Sequence, residues 1–329
     1  MDSHRRKTLK TSRGLTYTYY VSESPSSKPT LLLQHGFPDD ACMWKGIASK
    51  LTRYRLVVPD LLGYSGTSKP TEPSAYSYAY QAQDLLEILD AEGIEKVISV
   101  GHDFGAVVAQ RFYNYNPTRV EAVILLNVGY LLPSADPPNL EKSNAHLEKL
   151  FGYPALAYQE FFIADEASAL LNANPDRLYQ AMHSAPKDWM KETWCTRGNI
   201  RKWLQDKTQT VELLGYAQDP ALRQAFVERF RRDGFEGPLC YYKATNSNVQ
   251  YDASKDIKKQ DLVVRVPMLY IACTRDPVCR PEFMIPAKEG GFLPDLEEAV
   301  VDSGHWCPLE SPNEVAELMI SFLERRFGP

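Results

Sequence analysis

No run of apolar residues in the 329-residue chain approaches the roughly 20 needed to cross a bilayer. The start, Met1-Asp2-Ser3-His4-Arg5-Arg6, lacks the apolar core of a secretion signal, and the tail Arg326-Phe327-Gly328-Pro329 is no recognisable address. Cysteine is sparse. Cys42, Cys195, Cys240, Cys273, Cys279 and Cys307 are scattered with no Cys-x-x-Cys pair, which excludes the common metal-ligand spacings. The expectation is a cytoplasmic protein with reduced thiols, no metal and no membrane association. Basic runs are short, Arg5-Arg6-Lys7 and Arg231-Arg232, and the net charge is −5, which argues against nucleic acid as a partner. Both basic clusters read as solvated surface. Internal repeats and low-complexity segments are absent too. What remains is an ordinary globular composition, 44% hydrophobic and 24% charged, in a chain long enough to bury a core without disulfides. Nothing in it fixes an oligomeric state.

Strand and helix signals alternate at both ends of the chain. Leu15 to Val21 alternates as a strand, and Thr30–Gln34 and Tyr54–Val58 are short apolar runs of the kind found in buried parallel strands. Ser77 to Glu92 carries Tyr78, Ala82, Leu85, Leu86 and Leu89 on one helical face, with Gly93 to close it. Strands follow at Val97–Val100 and Ala122–Asn127. The rhythm breaks at Leu131-Leu132-Pro133-Ser134, and from there the chain reads as helices and aromatic-rich loops. One of these helices is marked by Asp219 as N-cap, Pro220 in the first turn and Gly234 past the end. The polar stretch Ala244 to Val249 reads as a link back to the core. Strands resume at Met268–Ala272 and Leu296–Val301, and Ser311-Pro312-Asn313-Glu314 predicts a capping box on a last helix that buries Val315, Leu318, Met319, Phe322 and Leu323. The expected fold is α/β: a doubly wound, mainly parallel sheet over residues 1–132 and 248–329, with a helical cap inserted at 133–247.

One stretch carries the chemistry. Gly101-His102-Asp103-Phe104-Gly105 lies between the strand Val97–Val100 and a helix pattern, in the layout of a nucleophile elbow. A strand-to-helix turn this sharp puts its central residue in strained backbone angles and leaves no room for side chains two positions away on either side. The turn lifts Asp103 clear of the sheet at a helix start, where the dipole favours an anion. A Gly-x-Asp-x-Gly alone is as often a surface turn. Its flanking strand and helix make it a candidate nucleophile. Three other segments end strands on the same side of the expected sheet. His35-Gly36-Phe37-Pro38 can supply a backbone N–H of Phe37 to an oxyanion hole, with the N–H of Phe104 as second donor. Asp276 follows one late strand and His305 the next, in the order nucleophile, acid, histidine. Asp276 alone would be a turn residue before Pro277, and His305 alone a structural histidine. His35 and His102 read as loop-shaping, and His4, His146 and His183 as surface or packing.

The chain resembles the epoxide hydrolases of the α/β-hydrolase fold, the soluble type in particular. The resemblance rests on His35-Gly36-Phe37-Pro38 with Trp44 after it, on Gly63-Tyr64-Ser65-Gly66-Thr67-Ser68, on Gly101 to Gly105, on Asp276 and on Gly304-His305-Trp306. It extends to Tyr158-Gln159 and Gly237-Pro238-Leu239-Cys240-Tyr241-Tyr242, which look like the cap segments that supply two epoxide-binding tyrosines. It implies Tyr158 and Tyr242 as that pair, with Tyr241 as the alternative to Tyr242, and a substrate pocket walled by His35, Pro38, Trp44, Tyr241 and Trp306. It also implies a small-molecule epoxide and water as reactants, no cofactor and a diol product. The extra N-terminal domain of the mammalian soluble members and the membrane anchor of the microsomal ones are not expected. Aspartate has an ordinary pKa near 3.9, so Asp103 needs no base to attack an alkyl carbon.

Two other functions fit the same framework. A haloalkane or haloacid dehalogenase uses the same ester chemistry but typically holds the halide with a tryptophan beside the nucleophile, where this chain has Phe104. A non-catalytic ligand receptor would leave the Asp103, Asp276 and His305 set without a purpose. A serine esterase fits least, since no serine stands at the elbow.

Overall fold

In the computed structural model, residue 1, residues 4–22 and residues 28–328 are described. Asp2, Ser3 and Pro329, part of the termini read above for addresses, lie outside them. Eight strands form one sheet: β1 (Arg5–Lys10), β2 (Thr16–Val21), β3 (Thr30–Gln34), β4 (Arg55–Pro59), β5 (Val97–His102), β6 (Val120–Leu126), β7 (Met268–Cys273) and β8 (Leu296–Val301). Their order is β1-β2-β4-β3-β5-β6-β7-β8. The β1–β2 and β2–β4 pairs are antiparallel and all others parallel. Every residue of β5 and β7 is buried, as a central strand covered on both faces requires.

Arg5-Arg6-Lys7, read as solvated surface, lies on strand β1, where Arg5 and Arg6 are exposed and Lys7 is half-buried. The strand forms the edge of the sheet, and Lys7 Nζ pairs with Glu92 at 2.7 Å. Cationic residues on an edge strand discourage pairing with a second sheet.

Six helices matter for the site: α1 (Tyr78–Ala91), α2 (Phe104–Tyr115), α3 (Tyr158–Phe162), α4 (Pro220–Asp233), α5 (Glu236–Thr245) and α6 (Pro312–Phe327). The predicted cap of α4 is present, with the Asp219 carboxylate accepting from the Ala221 N–H. The predicted capping box of α6 is not. Ser311 makes no side-chain bond to the helix, and Pro312 removes one N–H from its first turn. Leu318 is only half-buried, at the rim of the face formed by Val315, Met319, Phe322 and Leu323. The expected link at 244–249 is short, because α5 runs on to Thr245 and another helix begins at Asn248.

Two apolar cores result. Helices α1 and α2 and the helices between β6 and β7 share one cluster with one sheet face, and α6 packs with Trp44, Leu31, Leu33, Ile98 and Val100 in the other. Among the described residues, no helix is long and apolar enough to cross a membrane.

Candidate active site

The turn after β5 places Asp103 at φ 54° and ψ −126°, outside the ordinary range for a side-chain-bearing residue. The turn closes only because its glycines have no Cβ. An added Cβ would lie 2.1 Å from the Gly105 carbonyl oxygen at Gly101, and 2.1 Å from the Gln34 carbonyl oxygen at Gly105. Both obstacles are backbone, which cannot swing aside. We expect Gly101→Ala to cost stability at or above the upper end of the roughly 1–3 kcal/mol typical of overpacking. Denaturant unfolding checks this: an unchanged midpoint would contradict so tight a turn.

The Asp103 carboxylate meets donors on both oxygens. Oδ1 accepts the backbone N–H of Phe37 at 2.8 Å, and Oδ2 lies 3.5 Å from Nε2 of His305. Nδ1 of His305 is 2.7 Å from Oδ2 of Asp276. Asp276 is locked in turn. Its Oδ1 accepts from the N–H groups of Val278 and Cys279, and its Oδ2 accepts from Nδ2 of Asn127 at 2.8 Å. The ring of His305 is therefore held at both nitrogens between two carboxylates.

The charges follow from these contacts. Burial pushes the Asp103 carboxyl up, but the hydrogen bond and charge of His305 and the backbone N–H of Phe104 outweigh it, so its pKa falls below the usual carboxylate value. For His305, burial disfavours the cation, yet the carboxylates of Asp276 and Asp103 overcome this and raise its proton affinity well above that of free imidazole. Asp276 is depressed in the same exchange, against its own burial.

Tyr158 and Tyr242 lie close enough to this carboxylate to feel its charge. The ring centroids of Tyr158 in α3 and Tyr242 in α5 are 5.7 Å apart and nearly perpendicular. Burial is the largest cause raising either phenol pKa, and the charge of Asp103 raises both further. Tyr242 packs against Phe37, Phe104 and Phe162. Tyr241 is corrected as its alternative. It is fully buried in the core, and its hydroxyl donates to Oε1 of Gln81 at 2.7 Å.

A cavity of about 480 Å³ opens on Asp103, Phe104 and Tyr158. None of the five expected wall residues lines it. Trp44 is fully buried in the opposite core cluster. His35 is spent on the turn, accepting the Leu61 N–H at Nε2. Pro38 offers its carbonyl to Arg229 of α4 at 2.7 Å. The Trp306 indole N–H goes to Asp39, and Tyr241 goes to Gln81. Pro38 and Trp306 thus tie the 35–39 loop to Arg229 and to the histidine loop, and none of the five walls the cavity. Its walls include instead Val107, Val128, Leu132, Leu156, Asn127 and Arg111.

Asn127 escaped the sequence reading as a site residue. Its signal is weak: an asparagine at a strand end, here at φ 64°, a region that asparagine tolerates better than most residues. Asp103, Cys279 and His305 bring one donor atom each to within 4.8 Å, the one such metal-sized cluster among the described residues. Burial keeps the Cys279 thiol protonated, and His305 Nδ1 is engaged by Asp276, so the donors suit proton transfer better than metal binding.

Residues 29–312 match the family described as alpha/beta hydrolase fold. The chain is 31% identical over 308 residues to "Epoxide hydrolase A" of Mycobacterium tuberculosis, covering 92% of each. It is 27% identical over 312 residues to "Bifunctional epoxide hydrolase 2" of Sus scrofa, of which it spans about half, 52%. The solved structure of epoxide hydrolase A from Mycobacterium thermoresistibile superposes with a TM-score of 0.77 at 26% identity, over 98% of each chain.

Proposed function

The chain belongs to the alpha/beta hydrolase fold family, where it is related to epoxide hydrolases, and we propose that it opens epoxides to vicinal diols through an ester on Asp103. The observation that carries this reading is the placing of an ionised carboxylate between a histidine–aspartate pair and two buried phenols. Oδ1 of Asp103 already sits with the Phe37 N–H, so Oδ2 is the attacking oxygen. Its attack on one ring carbon forms a C–O bond and breaks the ring C–O bond. The departing alkoxide takes a proton from Tyr158 or Tyr242, whose raised pKa values keep them protonated through neutral pH.

Ester formation removes the Asp103 charge that helped hold a proton on His305. The imidazolium can then give that proton to the phenolate left by ring opening, and the neutral imidazole accepts a proton from water as that water adds to the ester carbonyl. The amides of Phe37 and Phe104 hold the oxyanion, whose collapse breaks the acyl C–O bond to the substrate oxygen; that oxygen takes the new carboxyl's proton, and the diol leaves. The oxygen added to the first diol thus comes from Asp103, and a water oxygen replaces it there. Asp276 keeps the imidazole oriented and stabilises its cation, the work done by the acid of a hydrolase triad.

Each single Tyr158→Phe or Tyr242→Phe exchange is expected to slow alkylation by about 10²-fold, within the usual yield of a positioned acid, and the double exchange to slow it further than either. Single-turnover diol release from styrene oxide checks this, and a double variant as fast as wild type would remove the acid role. The dehalogenase reading has less support. The indole N–H groups of Trp189, Trp194, Trp203 and Trp306 are all donated elsewhere, and Trp44 lies in the other core. Bromide release from a bromoalkane, with no diol from an epoxide, would restore it.

A further inference from the structure

The cavity that reaches Asp103 is also lined by a charge that the hydrolytic scheme leaves unused. Arg111 lines it, on α2, together with Phe104 and Val107. Their spacing of three and four residues puts all three on one helix face, so the cavity has a single wall from nucleophile to guanidinium. Asp103 and Arg111 are roughly 12 Å apart along the helix axis, at about 1.5 Å per residue.

Arg111 is only 6% exposed. A guanidinium carries five N–H donors and cannot shed its charge. Here Nη1 donates to Oδ1 of Asn114 at 3.0 Å and Nη2 to the Leu131 carbonyl at 2.8 Å, both neutral acceptors. After the burial that disfavours its charge, the groups acting on it are Tyr130, Tyr115 and Tyr78, with no carboxylate among them. Two of those phenols donate elsewhere, Tyr115 to Ala253 and Tyr130 to Leu262. Other buried arginines differ. Arg229 pairs with Asp40 at 2.6 Å, and Arg177 spends its donors on the carbonyls of Trp203, Asp206 and Gln209 and on Gln180. A buried cation ordinarily has an anionic partner or a full set of acceptors, and Arg111, with two neutral acceptors for five N–H groups, has neither among the described residues.

We propose that Arg111 forms an anion subsite, which takes a carboxylate carried by the substrate at the end remote from the reacting carbon. The apolar walls at Val107, Val128, Leu132 and Leu156 suit an aliphatic chain between the two ends. The subsite itself stands on the cavity and the uncompensated cation. Only the nature of the reacting end rests on the epoxide reading.

Equilibrium binding of decanoate and neutral decanamide to the full chain tests this without turnover. Wild type should bind decanoate about tenfold tighter, as one charge-assisted contact would give. Arg111→Met should erase that preference and Arg111→Lys should keep part of it. Equal affinity for the two ligands in wild type overturns the proposal, as does a preference undiminished in Arg111→Met. If the Met variant does not fold, wild type and Arg111→Lys still give the reading. In a second arm, a terminal epoxide of an eleven-carbon acid should be favoured over its primary amide through KM, with little change in kcat. Two inert epoxides beside an Arg111-dependent decanoate preference would sink the epoxide reading and leave the subsite. Two epoxides hydrolysed alike, with no decanoate preference, would sink the subsite and leave the epoxide reading.

Discussion

Asp103→Asn abolishes turnover, with diol formation expected to fall by at least about 10⁴-fold, as when a hydrolase loses its nucleophile. The exchange is nearly isosteric, so the Phe37 N–H keeps an acceptor and the elbow keeps its shape. An amide oxygen is a far weaker nucleophile toward an alkyl carbon than a carboxylate, and neither His305 nor a tyrosine can take its place. The measurement is diol yield per enzyme, with a melting curve to show that the variant is folded. Folded protein that retains more than a few per cent of activity would mean that water attacks the epoxide directly, with Asp103 only orienting it.

His305→Gln separates the two halves of the reaction. Alkylation depends on the ionised Asp103 and the phenols, so it should proceed, while ester hydrolysis stalls by about 10³–10⁴-fold. One equivalent of alkyl-enzyme should accumulate, visible as the epoxide's mass added to the intact chain. A pH dependence follows with its sign fixed by the same contacts. The carboxyl of Asp103 lies below the usual range, so alkylation by wild type should hold its rate as pH falls to about the ordinary aspartate value near 3.9. Hydrolysis of the ester needs neutral His305, which Asp276 still biases toward the cation, so kcat should rise with pH. A variant that neither turns over nor becomes alkylated would place His305 in the first step instead.

The shape of the turn at Asp103 was legible because it is local. A glycine on either side of Asp103, a strand before it and a helix after it confine the backbone to one turn. The positions of Asp276 and His305 were legible, since each follows a strand whose C-terminal end lies along the same edge of the parallel sheet as that of β5. The pocket walls were not legible. Trp44 stands only nine residues after His35, yet it enters the other core, because which sheet face a loop residue joins depends on packing far along the chain. Tyr241 and Tyr242 are adjacent, and on a helix that separates them by about 100°. Only the folded packing around them decides which one turns to Asp103. Arg111 looked like any helix arginine, since its lack of a partner is a property of its surroundings and not of its neighbours in sequence. The edge strand β1 was hidden by its charge, which is what an exposed edge favours.

The whole account turns on a bond between the substrate and the protein. Single-turnover reaction in water enriched with heavy oxygen, with enzyme in excess, followed by mass spectrometry of the peptide that contains Asp103, reads that bond directly. The heavy isotope is expected in the Asp103 carboxylate, with unlabelled diol from the first turnover. Label in the diol alone, with Asp103 unlabelled, would contradict the ester.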